Sequence, residues 1–501
     1  MLKATRQLSP VEPHREIEQL SLLEFGRLRP GVRWPSFDPG ALQAGILHLG
    51  CGAFHRAHQN IYTQRAIELD GNSSLTWGVL GVSFRRKHIK QLLEPQDFLY
   101  TVLEHGPNGT AAQVVGVLKG VLFAREQAQA VVAAIKNPDT RIITLTVTPS
   151  GYLSLAPDNV GEPTATPDAI GLLIAGLAAV QVQGTSPPVL ISCDNVPGNG
   201  RRLRQALVER ARNYSPSLGS WIDRNVQFPS SVVDRIVPAA TAADCALAGR
   251  LLGLSDLAAV STEPFRQWVI EEFEGPRPPW HLAGAQFVSD TSPWEASKLS
   301  LLNGTHMAIA FLGILARLQT VSDFVNDPTF ARYTSRLMLD EEVPAIQTTN
   351  HDLVSYSSQL LERWRNVHMK HQLQRVSRNG SDKLQPRLLT SLTANLAAGR
   401  AAPCTVLAVA AWVCCAGRLM PFDCPIEDRS SESLQRAADD CGGDTRCLLA
   451  DLLSKHDIFG DLCSRHPEVE AQLGRAINFL RTHGVRHAVE RINAMPVGSS
   501  W

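Results

Sequence analysis

A short apolar run, Gly45-Ile-Leu-His-Leu-Gly50, passes through Cys51 and Gly52 straight into a helical pattern that continues through His58 to Leu69. A strand that ends in Gly-x-Gly and opens a helix brings backbone N–H groups and a helix N-terminus to one point, where a pyrophosphate is favoured. Gly50 and Gly52 are the candidate phosphate contacts, and Arg56 adds a positive charge nearby. The third glycine of such fingerprints is missing, since position 55 is His, and Phe54 marks the tight packing point instead. Elsewhere, a glycine turn after a strand is often only structural, and an arginine there pairs with a surface carboxylate.

The same texture repeats downstream. Trp77-Gly-Val-Leu-Gly-Val-Ser-Phe84, Arg141-Ile-Ile-Thr-Leu-Thr-Val-Thr148 and Pro188-Val-Leu-Ile-Ser-Cys193 are rich in β-branched residues and bounded by turn formers. Strands separated by helical stretches imply a parallel sheet, hence an α/β, Rossmann-type dinucleotide-binding domain. After about residue 290 long stretches such as Leu299–Leu318, Leu353–Met369 and Val406–Arg418 predict amphipathic helices, with residues 425–444 polar enough for a surface loop. A chain of 501 residues exceeds what one core comfortably holds. The expected division is residues 1–290, with an extension over 1–40 packed on the dinucleotide domain, and a mostly helical 291–501, with the site in the cleft between them.

Composition narrows the partners. Lys plus Arg and Asp plus Glu both number 48, so no basic surplus exists to neutralise nucleic acid or an anionic membrane. A small molecule fits better, bound by a monomer or weak oligomer. The 10 cysteines show no C-x-x-C pair, which favours reduced thiols over a disulfide frame or a metal site. The N-terminus carries Glu12, Glu16, Glu18 and Glu24 and lacks the apolar core of a signal peptide, so the cytoplasm is the expected compartment.

The chemistry concentrates in Lys298-Leu-Ser-Leu-Leu-Asn303-Gly-Thr-His306. Offsets of five and three residues are about 500° and 300° of helical rotation, so the three side chains span a sector that can still converge on one pocket. A desolvated lysine becomes a usable base near neutral pH, Asn303 can donate to a developing alkoxide, and His306 can hold a substrate hydroxyl. Each alone is an ordinary helix residue in most proteins. The second strand ends in Phe84-Arg85-Arg86-Lys87-His88. A basic strand end accommodates a 2′-phosphate where an acidic one would hold the ribose hydroxyls, so Arg86 and Lys87 lean the cofactor from NAD toward NADP. A solvated charge run is the alternative.

The segments His48–Gln59, Ser192-Cys-Asp-Asn195 with Asn199-Gly200, Phe228–Ile236, Glu263–Ile270, Lys298–His306 and Gly380-Ser-Asp-Lys383 resemble the polyol-specific long-chain dehydrogenases, the family of mannitol 2-dehydrogenases and fructuronate reductases. The resemblance implies metal-free hydride transfer between NAD(P) and a secondary alcohol. By matching position it implies Lys298 as catalytic base and Asn195 and Asn303 as carboxamides flanking the reacting oxygen. His306 and Asp234 match substrate-orienting positions, Arg375 and Lys383 line the polyol site, and Glu295 helps the lysine proton reach solvent. The chain departs from the family at Pro149, where a glutamate is usual. Three functions remain open at this level: a dehydrogenase of a mannitol-type sugar alcohol, a hexuronate (fructuronate/mannonate) reductase, and a non-catalytic dinucleotide-binding sensor.

Overall fold

The computed structural model of the protein describes residues 18–85, 87–147, 168–346, 352–369, 371–424, 426–455 and 458–501. The strands are β1 (Ala44–Leu49), β2 (Gly78–Ser83), β3 (Tyr100–Gly106), β4 (Gly109–Val115), β5 (Leu118–Phe123), β6 (Ile142–Leu145), β7 (Val189–Ser192), β8 (Ser231–Asp234), β9 (Val260–Thr262), β10 (Gln267–Glu271) and β11 (Gln286–Val288). Five of them form a parallel sheet in the order β5-β2-β1-β6-β7. The order reverses beside β1, which opens a crevice at the C-terminal ends of β1 and β6. Side chains alternate across the sheet with period two. Ile46 joins Ile61, Ile67 and Trp268 on one face, while Leu47 and Leu49 join Ile174, Leu177 and Leu203 on the other.

Two small sheets, β4-β3-β9 and β11-β10-β8, flank this layer. The described part of the N-terminal extension lies against the first of them. Leu20 is buried with Leu99, Leu103 and Leu252, and Arg33 pairs with Glu104 at 2.8 Å.

The second half is helical around one large core whose buried members all follow residue 300. Its centre differs from the amphipathic expectation. Every residue of Thr305–Leu315 and of Pro403–Ala416 is buried. A helix enclosed on all sides needs no polar face, so these two are apolar throughout, whereas Leu353–Arg365 is one-sided, burying Leu353, Tyr356, Leu360 and Trp364. The run Ser292–Leu315 is long and apolar enough to cross a membrane by length and composition, yet 89% of its apolar 18-residue window is buried inside the protein. Glu341 caps the Pro403 helix, accepting from the backbone N–H groups of Cys404 at 2.6 Å and Thr405 at 2.8 Å. Two further expectations are corrected. The polar stretch 425–444 contains a helix, Ser431–Asp440, that buries Leu434, Ala437 and Ala438. Cys441 and Cys447 form a disulfide closing that helix onto the next, while the other cysteines are free; six-residue spacing carried no recognisable motif.

The two halves are joined by a buried ion cluster. Arg363, on the helix Leu353–Arg365, grips Asp234 at the end of β8 through two bonds of 2.8 and 2.9 Å, and Glu263 after β9 through bonds of 2.8 and 2.7 Å. Its guanidinium also lies 3.9 Å from the Phe265 ring. Removing one member of such a cluster strands the others. Arg363→Leu should therefore cost about 3–5 kcal/mol in denaturant unfolding, and adding Asp234→Asn and Glu263→Gln should recover part of that loss. A single replacement with unchanged stability would show that the cluster is not what joins the halves.

Candidate active site

Lys298 begins a π-helical turn, Lys298–Gly304, set between the helices Ser292–Ser297 and Thr305–Leu315. Wide turns of this kind are rare and recur at functional sites. The turn packs closely on a second one, Gln385–Leu389: a side chain at Gly304 would come within 2.5 Å of the Arg387 carbonyl oxygen. Position 304 therefore requires glycine.

Lys298 is buried, and its Nζ donates to Asn195 Oδ1 at 2.6 Å across the cleft. The cleft, open to solvent, spans about 270 Å³ of empty space and is lined by Asp194, Asn195, Pro197, Ser231, Glu295 and Lys298 among others. Glu295 stands at its wall, accepting from Gly198 N at 3.0 Å and from the Thr291 hydroxyl at 3.2 Å. Asn303 and His306 follow on the same run, both buried, with Asn303 Nδ2 and His306 Nε2 lacking any partner among the described residues. Buried polar atoms are nearly always satisfied, so these two orphans on the Lys298 run are candidate contacts for a polar ligand. His306 is flanked by the rings of Trp364 at 5.0 Å and His371 at 4.9 Å.

The electrostatics favour a lysine that exchanges its proton near neutrality. Burial lowers the Lys298 ammonium and Asp234 pulls it back up. Arg387 and Arg363 add to the lowering, and the result is about 8. Burial holds His306 well below the ordinary imidazole range, with His371 and the two arginines adding to it. It is a neutral ring. Burial by itself would raise Asp234, but Arg363, Lys298 and the Tyr356 hydroxyl outweigh it and hold the carboxyl below its usual range.

Asp234 is thus a buried counter-charge, 3% exposed and already bonded by Arg363 and Tyr356, rather than an open substrate ligand. Arg56 also departs from expectation. It is buried, donates to the Ala258 carbonyl and lies 5.3 Å from the Tyr100 ring, so it braces the fold instead of facing phosphates. Lys87 is exposed and paired with Glu126 at 2.8 Å. Arg86 and Pro149 fall outside the described residues. Arg375 is exposed on the helix Leu373–Ser377, and its charge bears on His371. Lys383 is half-buried and donates to the Arg378 carbonyl, and burial lowers it to about 8.

The phosphate turn fits a dinucleotide. Gly50 sits at φ 106°, and a side chain there would strike the Thr146 carbonyl oxygen at 2.3 Å. Gly52 is exposed with no atom closer than 3.6 Å to a hypothetical Cβ, which leaves room for close backbone approach. Phe54 stacks on His58 at 5.0 Å, and burial pushes His58 down to about 3, so its neutral ring donates to the Gln267 carbonyl at 2.8 Å. Arg363, Trp364 and His371 escaped sequence reasoning because no spacing links them to Lys298; only folding brings them near.

Comparison with known proteins agrees with this arrangement. The mannitol dehydrogenase Rossmann domain matches residues 44–282 and the mannitol dehydrogenase C-terminal domain matches residues 290–478. The D-mannonate oxidoreductase of Escherichia coli (strain K12) is 36% identical over 400 residues, 76% of this chain and 82% of that protein. A mannitol 2-dehydrogenase of Emericella nidulans is 36% identical over 375 residues, 70% of this chain and 74% of that protein. The ternary complex of Pseudomonas fluorescens mannitol 2-dehydrogenase with NAD and D-mannitol superposes with a TM-score of 0.83 at 31% identity, covering 95% of this chain and 100% of that one. With a parallel dinucleotide sheet, a helical second half and a buried lysine between them, the chain belongs to the mannitol dehydrogenase family of oxidoreductases.

Proposed function

We propose that the protein is an NAD(P)-dependent dehydrogenase that interconverts a secondary alcohol of a mannitol-type sugar alcohol and the corresponding ketose. The observation that carries this reading is the Lys298–Asn195 contact beside the orphaned Asn303 amide. The bound nicotinamide supplies the hydride acceptor or donor. Neutral Lys298 takes the carbinol proton, and a carbinol oxygen turning into an alkoxide needs fixed donors. Because Lys298 occupies Asn195 Oδ1, the Nδ2 of Asn195 is left to face that oxygen, and Asn303 Nδ2 supplies the second donor. Glu295, at the cleft wall beside Lys298, passes the lysine proton toward solvent. Asp234 keeps the lysine from losing its charge too early, and His306 orients a neighbouring hydroxyl through Nε2.

Lys298→Ala should lower turnover by about 10²- to 10⁴-fold while cofactor affinity stays near wild type. Alcohol oxidation needs the deprotonated amine, so its rate should rise with pH through about 8 and then level. Ketone reduction needs the protonated form and should fall over the same range. Profiles without opposite slopes, or a Lys298→Ala variant with half the wild-type rate, would remove Lys298 as the base.

The basic strand end supports NADP at least as well as NAD. Exposed ion pairs such as Lys87–Glu126 are cheap to break, so a 2′-phosphate can replace Glu126 as the partner of Lys87. Lys87→Glu should shift the ratio of kcat/KM for the two cofactors toward NAD. A wild-type preference for NAD left unchanged by the substitution would leave the run as solvated surface.

A hexuronate-type substrate is the second reading, favoured by Arg387. Burial lowers this guanidinium to about 10, its charge reaches Lys298, His306 and Lys383, and among the described residues no carboxylate pairs with it. A substrate carboxylate would complete it. On this reading Arg387→Gln lowers kcat/KM for mannonate by about 10- to 100-fold while sparing mannitol; equal losses for both substrates would return the choice to the polyol.

A further inference from the structure

Ser300, two residues beyond Lys298 in the same π-helical turn, points to an acid that the mechanism above does not use. Its hydroxyl contacts Glu342 Oε2, and Ser391 contacts that same oxygen at 2.5 Å while lying 2.6 Å from Ser300. The three side chains come from three elements: the Lys298–Gly304 turn, a further π-helical turn at Leu337–Glu342, and the helix Thr390–Ala397. All are buried, Glu342 completely. Among the described residues Glu342 Oε1 has no partner and no cation pairs with the carboxyl. The charge that bears on it is Glu341, of the same sign.

Counting hydrogens decides the state of this acid. Three oxygens in mutual contact form a closed ring when each donates once and accepts once, which takes three hydrogens. The serines supply two. An ionised carboxylate would leave one contact without a hydrogen and a buried charge without a counter-ion, a costly combination. A protonated carboxyl supplies the third hydrogen and removes the charge.

We propose that Glu342 is kept as a neutral carboxylic acid whose proton closes a hydrogen-bonded ring with Ser300 and Ser391, and that this ring positions the turn bearing Lys298 and Asn303. Glu342 is then a positioning residue acting through Ser300. Consistent with the ring, burial pushes its carboxyl up to about 8 even though both serines pull it down. The kinetic consequence rests on Lys298 being the base, whereas the protonation state does not.

Two measurements on the full-length protein separate these parts. The infrared difference spectrum of wild type minus Glu342→Gln at neutral pH should show the carbonyl band of one protonated carboxyl; carboxylate bands in its place would overturn the proposal whatever the enzyme does. In kinetics, Glu342→Gln is neutral and still hydrogen-bonds, so kcat should stay within about threefold of wild type. Glu342→Ala should lower kcat by about tenfold or more with KM and cofactor affinity little changed, since small displacements of catalytic groups are expensive. If Glu342→Ala does not fold, Ser391→Ala takes its place with the same expected loss of kcat. Equal damage from Gln and Ala, or a folded Ala variant with wild-type kcat, would refute the positioning role.

Discussion

Arg363 is the interaction on which the rest of the structure depends. It reaches from the helical half into the dinucleotide half and satisfies two buried carboxylates at once. Without that fork, Asp234 and Glu263 would be uncompensated charges in a dry interface, and the halves would have reason to separate. The same fork serves the chemistry. By holding Asp234 ionised it places a negative charge near Lys298, and by its own charge it limits how far that stabilisation goes. The position of the lysine near 8 is the balance of burial against these opposed neighbours.

A buried lysine proposed as the base also needs a rigid seat. The Lys298–Gly304 segment runs into the completely enclosed helix Thr305–Leu315, and its widened turn is met by a second wide turn at Gln385–Leu389, with Gly304 allowing backbone contact. The acidic residues Glu341 and Glu342 sit at the same junction. One caps the central helix Pro403–Ala416, and the other touches the lysine-bearing turn through Ser300. Adjacent carboxyls in one environment thus acquire different tasks from what each can hydrogen-bond.

The dinucleotide end follows a different logic. Gly50 and Gly52 act through space: one has no alternative at its backbone angle, and the other leaves the chain open to approach. The histidines on either side of them are buried and neutral, with His48 held between the Thr144 and Thr146 hydroxyls at 2.7 and 2.9 Å and stacked on His55. They form the floor of the crevice rather than its charge.

The local sequence determined whatever depends on neighbours along the chain. The short apolar runs at residues 45–50, 77–84, 141–148 and 188–193 overlap β1 and contain β2, β6 and β7, because strands buried on both faces of a parallel sheet read as brief continuous apolar stretches bounded by turn formers. The glycine turn and the Lys298–His306 segment were legible for the same reason, as short motifs with fixed spacing. Sequence could not show that Leu299–Leu318 and Val406–Arg418 lie in the core, since apolar residues on every side of a helix have no period to detect. Nor could it show where long side chains end. Arg56 looks like a phosphate ligand in its motif and is spent on the Ala258 carbonyl, and Asp234 looks like a substrate ligand and is held by Arg363, 129 positions away. Glu342 carries no motif at all, because its meaning lies in the partners that tertiary packing withholds or supplies. Charge and hydrogen-bond complementarity act through space over a few ångströms, and only the folded chain sets those distances.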